Sequence, residues 1–279
     1  MAVRRIVVVL QPIPLNPSRI MKNAFCYVML FVLAFNMMVS CEEKTTHKTT
    51  VTEESQVQQV ADTIEEQQKD TLLQVYAFAF DSIDVDTVMY KDYVFVSLPI
   101  PEAVKARMQG KSMPDDATIG YDELRYLTLY HYDYEGDIKQ GEMVCNQAIA
   151  HDLLSIFKAL FTEAYPIYSI RLVDDFDASD EASMQANNTS CFNYRTMVGT
   201  RMISKHAMGL AVDVNPLQNP CIKHGRVHPV AAEDYVDRTK DFPHKIDRDD
   251  YCKKVFTSYG FSWGGNWGGS KDYQHFEKR

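Results

Sequence analysis

Ser204-Lys205-His206-Ala207-Met208-Gly209-Leu210-Ala211-Val212-Asp213 is the stretch on which the fold turns, and Asp272-Tyr273-Gln274-His275-Phe276-Glu277 answers it near the C-terminus. His206, Asp213 and His275 make a three-ligand set for one zinc ion with a fourth position open, the arrangement of a catalytic rather than a structural zinc. Such an ion lowers the pKa of a bound water from roughly 15.7 to about 7, which makes hydrolysis the expected chemistry. Residues 210–214 alternate, so a strand there turns Leu210, Val212 and Val214 toward the core and Ala211 and Asp213 to the other face. Gly209 lets the chain bend between His206 and that strand.

Tyr259-Gly260-Phe261-Ser262-Trp263-Gly264-Gly265-Asn266-Trp267-Gly268-Gly269 leads into the second stretch. Glycine and tryptophan at this density suit a sharp turn that walls a cleft, and Trp263 is expected against substrate. Asp272 falls three residues before His275, so on an extended segment the two side chains would face opposite ways. A bend between them aims both into one cleft. Placed there, Asp272 is expected to be the general base that moves a proton from water to the leaving amine.

These motifs resemble the LD/DD zinc peptidases that cut peptidoglycan stem peptides. That group contains D-alanyl-D-alanine carboxypeptidases of the vancomycin-resistance type and L-alanyl-D-glutamate endopeptidases. The likeness extends over roughly residues 100–279, through Met108-Gln109-Gly110-Lys111-Ser112, Asp122-Glu123-Leu124-Arg125-Tyr126-Leu127, Asn188-Thr189-Ser190-Cys191-Phe192-Asn193-Tyr194-Arg195, Asn215-Pro216 with Asn219-Pro220, and Trp263-Gly264-Gly265-Asn266-Trp267. It implies an α+β fold of the LAS/Hedgehog-like kind, a small antiparallel sheet packed on helices with the zinc cleft on the sheet. It also implies zinc on His206, Asp213 and His275, Asp272 as base, and Arg195 as the cation that holds the substrate carbonyl or carboxylate. A fixed guanidinium suits an oxyanion in a water-poor cleft on chemical grounds as well. Ser204 is expected either to bond the backbone around His206 or to contact substrate, and no Ser/His/Asp arrangement makes it a nucleophile.

Residues 24–39 form an apolar run just after Lys22, short for a membrane span and suited to a signal-peptide core. Ser40-Cys41 then resembles a bacterial lipobox, with Met38 where leucine is usual, so Cys41 is expected to carry lipid. Residues 1–40 are read as a signal region in which 1–20 precede the more natural start at Met21. Residues 41–74 are a tether, polar and rich in Glu, Gln and Thr from 42 to about 70. Residues 75–279 are the peptidase domain. This organisation places the protein in a bacterial cell envelope, lipid-anchored, periplasmic or outer-membrane associated, and monomeric.

The chain of 279 residues carries a formal charge of −9, and residues 1–40 hold four bases and no acid, so the remainder carries −13. Nucleic acid is thereby an unsuited partner; the expected partners are the peptidoglycan stem peptide and, through Cys41, the membrane. Beyond Cys26 and Cys41, Cys145, Cys191, Cys221 and Cys252 allow three pairings or free buried thiols, and no C-x-x-C spacing offers a cysteine metal site. Strands are expected at 75–80, 93–98, 127–134 and 167–173, and helices at 101–108, 121–126, 146–165 and 249–258, with an acidic loop over 174–188. The segment between Asn215 and Phe256 reads as a loop at one end of the cleft from which Tyr235 and Arg238 contact substrate. His224 and His228 have helical metal-pair spacing, but Gly225 and Pro229 argue against a helix. The competing functional classes are a catalytically silent wall-binding lipoprotein on the same fold and a peptidase acting on other peptides.

Overall fold

The computed structural model describes residues 84–197 and 202–278. The signal region, Cys41, the tether and the strand expected at 75–80 lie outside the described residues. The first elements are a hairpin of β1 (Asp86–Tyr90) and β2 (Tyr93–Pro99), then helix α1 (Glu102–Met108) and two long strands, β3 (Leu124–Tyr132) and β4 (Ile138–Asn146). All neighbours in the sheet β1-β2-β3-β4 run antiparallel. Asn146 caps the 3-10 turn Gln147–Ile149, its Oδ1 accepting from Ala148 N–H at 3.0 Å, and helix α2 (Ala150–Thr162) follows that turn directly.

Short elements complete the chain: β5 (Ser169–Ile170), α3 (Asp180–Gln185), β6 (Asn188–Thr189), β7 (Ala211–Asp213), β8 (Cys221–Lys223), β9 (Arg226–His228), α4 (Tyr251–Ser258), β10 (Ser262–Trp263), β11 (Lys271–Asp272) and β12 (His275–Glu277). β10, β12 and β7 form one antiparallel sheet, β11, β8 and β9 another, and β5 pairs β6 in parallel. This mixture of helices and small, mainly antiparallel sheets agrees with the α+β expectation.

The apolar spacing of α2 explains its place. Leu153, Leu154, Ile156, Phe157, Leu160 and Phe161 are all buried, and they share one core with Phe95, Leu127, Leu129 and Met143 of the long sheet. Val212, Val214, Phe256, Phe261 and Phe276 belong to the same core. Each such side chain contributes about 1.5–3 kcal/mol when fully buried, so the strands that carry the candidate ligands are held by the main core. Val212 and Val214 face inward as the alternation predicts, with Leu210 packed partly buried beside them.

Three expectations need correction. Residues 121–126 are not a helix: Tyr121–Glu123 form a single 3-10 turn, and Leu124 already begins β3, because its alternate buried positions pair in register with β4. The acidic loop over 174–188 contains a 3-10 turn, Val173–Phe176, and α3, whose N-cap Ser179 accepts from Ala182 N–H at 3.2 Å. The strand expected over 167–173 pairs only at Ser169–Ile170. All four described cysteines are free thiols; Cys145, Cys191 and Cys252 are buried and Cys221 is half-buried.

Candidate metal centre

Tertiary structure brings His206, Asp213 and His275 together so that one ligand atom from each lies within 4.8 Å of the others, and all three residues are buried. Asp213 and His275 are direct partners across β7 and β12. Their Oδ1 and Nδ1 atoms are 3.0 Å apart, while His206 Nε2 lies 3.2 Å from Asp213 Oδ2 and 3.2 Å from His275 Nδ1. Two imidazole nitrogens and a carboxylate fit a zinc-type donor set that leaves room for a fourth ligand.

Each imidazole is oriented by its other nitrogen. His206 Nδ1 is 2.7 Å from the carbonyl oxygen of Cys191, and His275 Nε2 is 3.3 Å from Glu277 Oε2. A neutral ring that donates at one nitrogen keeps a lone pair at the other. Sequence reasoning alone gives Glu277 no role; H-x-E on a strand, two residues apart and so on one face, is the signal that marks it. Burial alone would raise the Asp213 carboxyl, but His206 and His275 hold it well below the usual range. Burial would lower His275, yet its hydrogen bonds to Asp213 and Glu277 bring it up to about 10 in the metal-free protein.

The turn that carries His206 is built by Gly209, which adopts φ +65° and sits so close to β4 that a Cβ would lie 2.5 Å from the Asn146 nitrogen. Its carbonyl accepts from Asn146 N–H at 2.9 Å, and Asn146 Nδ2 donates to Met208 O at 3.0 Å. Ser204 is buried, and its Oγ accepts from His206 N–H at 3.2 Å. That contact is the backbone alternative expected for Ser204.

Asp272 and His275 are separated by a bend at Tyr273 and Gln274, as the argument from strand geometry required. Gly264 packs against both, since a Cβ there would stand 2.6 Å from Asp272 O and 3.3 Å from His275 Cβ. Asp272 Oδ1 is buried without a hydrogen-bond partner. Burial and the charge of Asp213 push this carboxyl up to about 6, against the opposing pull of His275, Cys221 and His206. Cys221 is its cross-strand partner on β8.

Residues 198–278 match the family model for D-alanyl-D-alanine carboxypeptidase. The match to this carboxypeptidase family spans His206, Asp213, Asp272 and His275 and begins after Arg195, so it covers a narrower part of the chain than the motif likeness. Neither the search of curated proteins nor that of solved structures returned a match.

Arg195 Nη2 pairs with Asp180 Oδ1 at 2.9 Å, its Nε is buried without a partner, and its carbonyl accepts from Ser204 N–H at 3.1 Å. Trp263 is buried, with its indole N–H donated to Tyr273 O at 2.9 Å and its ring across Gly265, so it braces the bend that carries Asp272. The indole beside a candidate ligand is that of half-buried Trp267, 5.2 Å from the His275 ring. Arg238, expected at substrate, donates to Gln218 O, Asn219 Oδ1 and Ile246 O and stacks on Tyr273 at 4.3 Å, which ties the loop to the bend. Tyr235 stacks edge-on against Phe242. His224 lies at positive φ in the β8–β9 turn, so its spacing from His228 is that of a hairpin rather than a helix.

Proposed function

We propose that the protein is a zinc-dependent peptidase that hydrolyses an amide bond of peptidoglycan stem peptides, of the D-Ala-D-Ala carboxypeptidase or L-Ala-D-Glu endopeptidase type. The observation that carries this reading is the buried His206–Asp213–His275 cluster within the segment that matches the carboxypeptidase family. His206, Asp213 and His275 would hold the zinc, which would supply Lewis acidity for the scissile carbonyl and for a water.

The protein's own groups do the rest. Asp272, with a carboxyl near 6 and an unpartnered buried oxygen, takes the proton of the attacking water and returns it to the leaving amine. Arg195, steadied by Asp180, offers its guanidinium to the oxygen that gains negative charge. Ser204 holds the turn at His206. Lipid on Cys41 anchors the enzyme in the cell envelope, and the polar tether gives it reach to the wall.

A wall-binding protein on the same scaffold has no use for a buried carboxylate oxygen left without a partner beside a three-ligand cluster. Incubating purified protein with defined muropeptides, with and without a chelator, separates the readings by mass spectrometry. Chelator-sensitive loss of one D-Ala identifies a carboxypeptidase, and release of the stem after L-Ala an endopeptidase. Wall pull-down with no chelator-sensitive product would overturn the peptidoglycan hydrolase and favour the binder.

A further inference from the structure

We infer that Glu277 is a positioning residue for the metal, the side chain that decides which nitrogen of His275 faces the ion; this rests on reading the cluster as a metal site. On β12, His275 and Glu277 share one face while Phe276 between them is fully buried in the core. Glu277 Oε2 lies 3.3 Å from Nε2, on the edge of the ring opposite Nδ1. Nδ1 lies 3.0 Å from Asp213 and 3.2 Å from His206 Nε2.

A neutral imidazole has one N–H and one lone pair. With the proton at Nε2 donated to Glu277, the lone pair stands at Nδ1, where the other two ligands converge. With the proton at Nδ1, that nitrogen would only donate to Asp213 and the set would fall to two ligands. Glu277 is not itself a ligand to the same ion, because its carboxylate lies beyond the ring and outside the three-residue group. His206 is oriented in the same manner by the Cys191 carbonyl, a backbone group that no substitution removes. Glu277 is therefore the side chain through which this orientation can be altered. A carboxylate partner also raises the donor strength of the imidazole, and removing such partners typically costs about 10–100-fold in metal affinity.

The test uses the metal-stripped full chain and its Glu277→Ala and Glu277→Gln variants. Zinc affinity is read by competition with a chromophoric chelator, the site geometry by the visible spectrum of the cobalt-loaded proteins, and folding by thermal melts. Glu277→Ala is expected to bind zinc about 10–100-fold more weakly with a changed cobalt spectrum, and Glu277→Gln, which keeps an acceptor oxygen, to recover much of the loss. Parental affinity and an unchanged cobalt spectrum in Glu277→Ala would overturn the inference. A nitrogen-15 spectrum of the zinc-loaded parent decides independently of any variant: a proton on Nε2 and metal on Nδ1 of His275 are expected, and the reverse overturns it. A parent that takes up neither metal would instead remove the metal reading on which the inference stands.

Discussion

Asp213 and His275, separated by 62 positions in the chain, are register partners on adjacent antiparallel strands, with Oδ1 and Nδ1 3.0 Å apart. The hydrogen bonds that fix the two strands thus fix the spacing of two of the three candidate ligands. Asp213→Ala leaves only the imidazoles, and the variant is expected to retain no zinc after dialysis while keeping a cooperative melt. Stoichiometric zinc in that variant, measured by elemental analysis, would show that Asp213 is not a ligand.

Asp272→Asn is expected to bind metal like the parent and to lose turnover by a factor of about 10²–10⁴, the usual contribution of a positioned general base. Equal turnover on muropeptide substrate would remove Asp272 from the mechanism. A general base works ionised, and in the metal-free protein the Asp272 carboxyl stands near 6. A bound dication favours the ionised form, so activity should rise with pH over a limb that lies below about 6 and level off above it, with no such limb in the residual activity of Asp272→Asn.

Metal uptake should itself depend on pH. In the metal-free protein His275 is raised to about 10 by Asp213 and Glu277, against the effect of burial, so at neutral pH a proton must leave before the nitrogen can bind an ion. Asp213 is held well below the usual range and releases none. Apparent zinc affinity is expected to increase by about tenfold per pH unit for this one displaced proton between pH 7 and 9, measured by chelator competition. The same shift gives the metal-free fold stability that is complete below the unfolded histidine value of 6.5 and is lost as pH rises through about 10. Chemical denaturation of stripped protein across that window checks the sign.

Gly264→Ala places a methyl group 2.6 Å from Asp272 O and 2.9 Å from Asp272 Cβ. Relief requires the base or the strand behind it to move. The expected cost is about 1–3 kcal/mol of stability, together with loss of turnover that exceeds the loss of metal. Gly268→Ala, which meets nothing within 4 Å, is the control. Equal melts and equal turnover in both variants would show that the close packing at Gly264 has no functional weight.

The grouping of His206, Asp213 and His275 and the inward face of β7 were legible in the sequence because each depends on local chemistry: a donor atom needs a particular side chain, and strand alternation needs only neighbours. The amphipathic spacing of α2 was legible for the same reason. Tertiary structure alone decided the rest. It replaced the expected helix at 121–126 by the start of β3, since pairing with β4 outweighs local helical preference. It put Trp263 under the bend and Trp267 beside His275, a choice between two similar indoles that rests on which one reaches the Tyr273 carbonyl. It set Arg238 among acceptors at Gln218, Asn219 and Ile246 of its own segment, and it gave Glu277 to His275. Residue type fixes what a group can donate, accept or ligate; which partner it meets depends on strand register and on how the core closes, and both are settled between segments far apart in the chain.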